Sequence, residues 1–250
     1  MAVVHSLAKL VKFIHRTEWG GALSDVTEQH LGRACSNLGI VPDEIFDVLG
    51  EVPGNIVHGC ALEDFMARDY EGRNVVDEYL KRRGYVESPG AKRYMQSFRH
   101  SVMSLYEVND IAPGRSFNAR DLIRSFAPVQ VFEVTGTKAL APGDHIGARL
   151  IKVGTDWHMG GGVLRYNRRA SDFLIDMLKG LDTKLPDNFR ALAETTIGSA
   201  GVAAIEQDLA EKKPPLAIMA PTFTGIWLAE AIEYALSARR LGDHVELRRA

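Results

Sequence analysis

A chain of 250 residues can bury one large core or two smaller ones, and 46% hydrophobic with 25% charged residues excludes a disordered chain. A formal net charge of -2 excludes a global field that would draw the molecule to nucleic acid or an anionic membrane, so any such contact must come from a local basic patch. With Cys35 and Cys60 as the two cysteines, a disulfide framework and a cysteine-rich zinc site are excluded as well.

Residues 3–15 place Val3, Leu7, Leu10, Val11 and Ile14 at helical spacing, and Gly20-Gly21 is expected to break that helix. Lys9 and Lys12 interrupt its apolar run, which is therefore no secretory signal, and a cytoplasmic location follows by default. Ser24 or Asp25, with Glu28, forms a capping box for a helix that ends near Gly39. Residues 43–49 read as a short helix closed by Gly50, and Pro53-Gly54 as a turn. Leu62, Phe65 and Met66 then mark a helix that stops near Gly72, and residues 74–83 form the next. After Ser88-Pro89-Gly90, Tyr94, Phe98 and Val102 recur every four residues, so the first hundred residues read as helical.

From Leu105 the apolar period falls to two. Tyr106 and Val108 alternate with Leu105 and Glu107, and Ala112-Pro113-Gly114 turns the chain. Residues 129–134 are rich in β-branched and aromatic side chains, Pro142-Gly143-Asp144 is a turn, and Ile146, Ala148 and Leu150 alternate with Gly147, Arg149 and Ile151. Gly154-Thr155-Asp156 joins this strand to residues 157–166 as a hairpin. Short strands this close together point to a small sheet that curls on itself. Helical spacing returns at Phe173, Leu174, Met177, Leu178 and Leu181. A long helix from Pro186-Asp187 contains Gly198 and Gly201, and a last one covers residues 227–238. Residues 197–205 are too short to span a bilayer; residues 216–236 contain Pro221, Glu230 and Glu233, so no membrane contact is expected.

Few residues point to chemistry. His58 and Cys60 lie beside Glu63 and Asp64, but no catalytic-cysteine signature surrounds them, and buried thiols are the expectation. Gly160-Gly161-Gly162 lacks the strand–helix setting and the Lys of a phosphate loop, so it reads as a bulge or a close backbone approach. Asp43, Glu44, Asp47 and Glu51 read as a solvated face. They also argue against residues 30–49 as a DNA-reading helix-turn-helix. No metal-binding spacing occurs and no cofactor is implied. The basic residues Lys81, Arg82, Arg83, Lys92, Arg93, Arg99, Arg115, Arg120 and Arg124 would form a phosphate-neutralising surface if they converged; otherwise they complement a helix end and pair with Glu78, Glu87 and Asp121.

Met103-Ser104-Leu105-Tyr106-Glu107-Val108, Pro113-Gly114, Ala119-Arg120-Asp121-Leu122, Leu140, Pro142-Gly143-Asp144, Ala148-Arg149 and Gly160-Gly161 together resemble a small β module. It occurs in uncharacterised bacterial proteins, some of which also carry a SEC-C zinc motif. The resemblance covers about a quarter of the chain and implies a fold rather than an activity. It also implies a chain shorter than its relatives, without their cysteine cluster.

The expected fold is α+β, with a helical region over 1–104, a small antiparallel β-barrel-like module over 105–166 and a helical region over 167–250. The leading functional expectation is a non-enzymatic binding or adaptor protein for an unknown macromolecular partner, with nucleic acid as one possibility. The alternatives are an enzyme of unknown class with a site between the β module and the helices, drawing on Arg120, Asp121, Asp144, His145, Trp157 and His158, and a subunit of a larger assembly.

Overall fold

The computed structural model describes residues 7–70, 72–124, 126–179, 187–210 and 215–247. Among them, α1 (Ala8–His15), α2 (Trp19–Asn37), α3 (Ile45–Leu49), α4 (Glu51–Ala67), α5 (Val75–Arg83) and α6 (Pro89–Arg99) precede all the strands. These are β1 (Met103–Ala112), β2 (Ser116–Asp121), β3 (Val129–Phe132), β4 (His145–Val153), β5 (Asp156–Met159) and β6 (Leu164–Tyr166). Then come α7 (Arg168–Lys179), α8 (Asp187–Ala210) and α9 (Ala220–Leu247). The chain is α+β, with a small barrel between two helical regions.

The barrel closes because β4 pairs with β1 along one edge and with β5 along the other, completing the ring β1-β2-β3-β5-β4. The remainder of that second edge takes β6, where Gly147 faces Leu164. Neighbouring strands are antiparallel except β3 and β5, which run parallel at Val131 and Trp157. The expectation of a purely antiparallel module is corrected at this seam. A ring of five strands cannot alternate direction all the way round, so one parallel pair is unavoidable.

The period-two pattern of β4 has a structural meaning on both faces. Ile146, Ala148 and Leu150 fill the barrel with Tyr106, Val108, Phe117, Ala119 and Val131. Gly147, Arg149 and Ile151 point the other way, toward the helices, as alternation along a strand requires. A Cβ on Gly147 would lie 2.9 Å from the Tyr166 ring, whose hydroxyl donates to the Phe223 carbonyl at 2.6 Å. The glycine thus lets the barrel seat directly on α9.

Local chemistry accounts for the helix ends. Asn74 accepts from the N–H groups of Val76 at 2.8 Å and Asp77 at 3.2 Å, and Ser88 from that of Ala91 at 3.1 Å. Four local expectations are corrected. Ser24 or Asp25 with Glu28 does not cap α2, which already starts at Trp19 and contains all three residues. Gly20-Gly21 falls inside the first turn of α2, and the break comes earlier, where Thr17 bonds back to the Phe13 carbonyl at 3.0 Å. Pro53-Gly54 is not a turn but lies in the first turn of α4, where a missing N–H costs no hydrogen bond. Gly54 is needed there because a Cβ would lie 2.6 Å from the Phe46 ring. Residues 157–166 are not one strand, since Gly160–Gly162 separate β5 from β6. Gly198, with φ +70, interrupts the regular geometry of α8.

The two helical regions share apolar surface. Leu31, Ala34 and Cys35 of α2 and Val57 of α4 cluster with Leu228 and Ile232 of α9. This contact and the barrel seat bring α2, α4, β4 and α9 together around one point.

A candidate ligand cleft beside a buried charge cluster

Helix α4 builds the site. Ile56, Gly59, Glu63 and Met66 recur at three- and four-residue spacing on one face, and that face forms one wall of a cleft of about 610 Å³. The opposite wall comes from His158 and Met159 at the end of β5, the glycine run and the turn after β3, with Tyr94 of α6 alongside. Helix and loop touch backbone to backbone. A Cβ on Gly162 would come within 2.7 Å of Cys60 Sγ and 2.9 Å of the Cys60 nitrogen, so the glycine run is a close approach.

That approach delivers two N–H groups to one carboxyl. Glu63 is 5% exposed and its Oε1 accepts from Gly161 at 2.5 Å and Gly162 at 3.1 Å, while Oε2 is buried without a hydrogen-bond partner. Burial pushes the Glu63 carboxyl above its ordinary value, and the two glycine N–H groups and the Arg149 charge offset this only in part. The cleft therefore presents a carboxyl with half of its hydrogen-bonding capacity unused, among the apolar side chains of Ile56, Leu62, Met66 and Val163.

The next residue, Asp64, turns into the interior. It is fully buried and binds Arg149 Nη2 at 2.5 Å, the Arg68 guanidinium, and His30 Nε2 at 3.0 Å. Arg149 also donates to the Ser101 carbonyl at 2.5 Å, and Arg68 to Gln29 at 2.6 Å. Burial alone would raise the Asp64 pKa, but the two guanidiniums and the imidazole N–H outweigh it and hold the carboxyl well below the carboxylate range. Burial lowers the His30 pKa despite Asp64, so the ring is neutral. A carboxylate can only accept, so His30 carries its proton on Nε2, and Nδ1 accepts from the Thr224 hydroxyl at 2.8 Å.

Asp64, His30 and Thr224 thus stand in the order of a hydroxyl-activating relay. Thr224 is nevertheless fully buried in α9, and the neighbouring groove is lined by Pro221, Thr222 and Gly225 instead. The relay joins α4, α2 and α9 and offers no hydroxyl to a substrate. Cys60 is equally inert as a nucleophile: burial pushes its thiol well above the usual range, while the His58 ring stacks on Phe46 and its Nδ1–H donates to the Gly54 carbonyl at 2.9 Å.

Of the residues singled out for an enzyme site, His158 lines the cleft. The others have separate attachments: Arg120 with Glu107, Asp121 with Ser104 and Arg124, Asp144 with Arg165, His145 with Ser171, and Trp157 under Lys152. The basic residues are distributed as well. Arg99 pairs with Asp69 and Asp77, Arg120 with Glu107 and Arg124 with Asp121. Lys81, Lys92, Arg93 and Arg115 lie on α5, on α6 and in the β1–β2 turn, without an ion-pair partner among the described residues. Arg82 and Arg83 line a separate groove with residues of α1. Asp43, Glu44, Asp47 and Glu51 are exposed. Sequence reasoning missed Glu63 as a site residue, although two acids inside the apolar run Leu62-Glu63-Asp64-Phe65-Met66 were a usable signal.

No helix among the described residues is long and apolar enough to cross a membrane. No protein-family model matches the chain, and neither a curated protein nor a solved structure matches it.

Proposed function

We propose that the protein is a non-enzymatic binding protein and that the cleft between α4 and the barrel is its recognition site. The ligand is a molecule with an apolar body and one cationic N–H donor, such as a primary amine, seated against Glu63. One observation carries this reading: the Oε2 atom of Glu63 is buried and unpartnered in the wall of a cleft that mixes apolar side chains with Glu133, Thr135 and His158. A buried acceptor without a donor costs about 1–3 kcal/mol, and a ligand that supplies the donor recovers that cost. A mixture of apolar lining and a few placed polar groups is the usual composition of a small-ligand site.

Calorimetric titration with a graded series of arylalkyl amines, each set against its uncharged alcohol counterpart, tests the reading. The amines should bind in preference to the alcohols, and binding should strengthen as pH rises and Glu63 ionises. Glu63→Gln should weaken amine binding by about tenfold or more and erase the preference. Saturable amine binding that is unchanged in Glu63→Gln, or no amine binding at millimolar concentration, would remove the proposal.

A further inference from the structure

A second concave surface lies away from the cleft, where α1 crosses α5. Lys9 and Lys12 lie three residues apart on one face of α1, and Arg16 follows as the residue that caps its C-terminus. Arg82 and Arg83 close α5, and all five cations line one groove of about 460 Å³ over Phe13 and Tyr79. The two rings meet edge to face at 5.4 Å, which fixes the spacing of the helices beneath the charges.

The balance of charge in this groove is one-sided. Arg82 pairs with Glu78 at 3.0 Å, an acid also held by Arg73 at 2.5 Å, and Lys9 lies 3.6 Å from Glu87. Arg83 donates to the Tyr85 hydroxyl at 3.3 Å, and among the described residues Arg83, Lys12 and Arg16 have no ion-pair partner. The macrodipole explains only part of this. Lys81, Arg82 and Arg83 suit the C-terminus of α5 and Lys12 and Arg16 that of α1, but Lys9 sits in the first turn of α1, where a cation is unfavourable, with Glu87 as its acidic neighbour. A multiply charged anion in this concavity would meet several exposed cations at once.

We infer that the groove between α1 and α5 binds a small oligophosphate, two or more linked phosphates either free or carried on a small organic group. A confined groove favours such a ligand over a nucleic-acid strand. The chain is net negative, and Arg99, Arg120 and Arg124 are already paired, so these three arginines offer a nucleic-acid strand no free cation beyond the groove. The inference is independent of the amine cleft, since the two sites share no residue.

The test is calorimetric titration of the full chain with pyrophosphate, tripolyphosphate and adenosine diphosphate, with inorganic phosphate and a single-stranded RNA for comparison. Tripolyphosphate should bind with unit stoichiometry, more tightly than phosphate, and more weakly as salt rises. Lys12→Ala with Arg16→Ala should weaken it by about tenfold or more, as should Arg83→Ala to a smaller degree. Lys92→Ala with Arg93→Ala, which removes the same charge elsewhere, should leave it unchanged. Lys12, Arg16, Arg83 and Arg93 are exposed and Lys92 is half-buried, and unchanged thermal midpoints will show that the variants fold. Equal loss in both double variants, no saturable oligophosphate binding at low salt, or binding of RNA alone would each overturn the assignment. Adenosine diphosphate binding more tightly than pyrophosphate would identify an organic carrier; equal binding would identify the free anion.

Discussion

Glu63 and Asp64 are adjacent on α4 and both buried, yet their carboxyls belong to two differently built regions. Asp64 enters a cluster in which Arg149 engages one oxygen and His30 and Arg68 the other, and it stays ionised. Glu63 enters a cleft wall in which backbone N–H groups engage one oxygen and leave the other alone, and its pKa moves the opposite way. Burial is the same for both, so the number and charge of the donors decide the outcome. A fully matched buried acid organises a fold, whereas a half-matched one is a place where a ligand can add something.

The comparison breaks most severely at Asp64. Asp64→Ala leaves Arg68 and Arg149 buried without their shared anion and should cost about 3–5 kcal/mol, measured as a fall in the urea midpoint. A loss below about 1 kcal/mol would mean that the cluster is not the tie between helices and barrel described above. The wild type should also weaken in acid. The lowered pKa values of His30 and Asp64 give stability that is fully present above their unfolded values and is lost as pH falls through the folded ones.

Gly162→Ala acts on the other side of α4. Its Cβ would meet the Cys60 backbone as well as Sγ, so helix and loop must separate, at about 1–3 kcal/mol. Because the same loop supplies the Gly161 and Gly162 N–H groups, Glu63 should lose them and amine binding should fall with stability. An unchanged urea midpoint would show that the seam accommodates a methyl group. Asn74→Ala lies outside both regions. It removes the cap of α5 and two bonds to the carbonyls of Met66 and Arg68, so about 1–2 kcal/mol is expected without any change in binding.

What the sequence disclosed divides along similar lines. The barrel was readable because alternation of Ile146, Ala148 and Leu150 with Gly147, Arg149 and Ile151 is local. The caps at Asn74 and Ser88 sit in local signals too. The parallel pairing of β3 with β5 was not readable, since it follows from closing an odd ring. Arg149 read only as one member of an alternating strand, and its partner lies 85 residues away. Pro53-Gly54 carries the same local signal as a turn, and only Phe46 packing on Gly54 makes it helix. The basic run at Lys81, Arg82 and Arg83 was visible, while the cations that share its groove, Lys9, Lys12 and Arg16, come from a helix whose own pattern read as an interrupted apolar stretch. Glu63 required knowing which loop would meet α4.

The smallest expected effect separates the two acids most sharply, because its sign can be worked out. A carboxyl whose folded pKa is raised favours the folded state in its protonated form. Its contribution is fully present below the unfolded value near 4.5 and is lost as pH rises through the folded value. Glu63→Gln cannot ionise and still offers an oxygen to the Gly161 and Gly162 N–H groups. Its stability relative to wild type should therefore rise with pH above about 4.5 and then level off. The acid loss due to His30 should persist in the variant, so the two titrations can be told apart in one set of urea curves taken from pH 4 to pH 8, with the Asp64 loss following below that range. A stability difference that does not change with pH would mean that Glu63 feels no more desolvation than an exposed carboxyl, and the cleft would then be only a gap between packed elements.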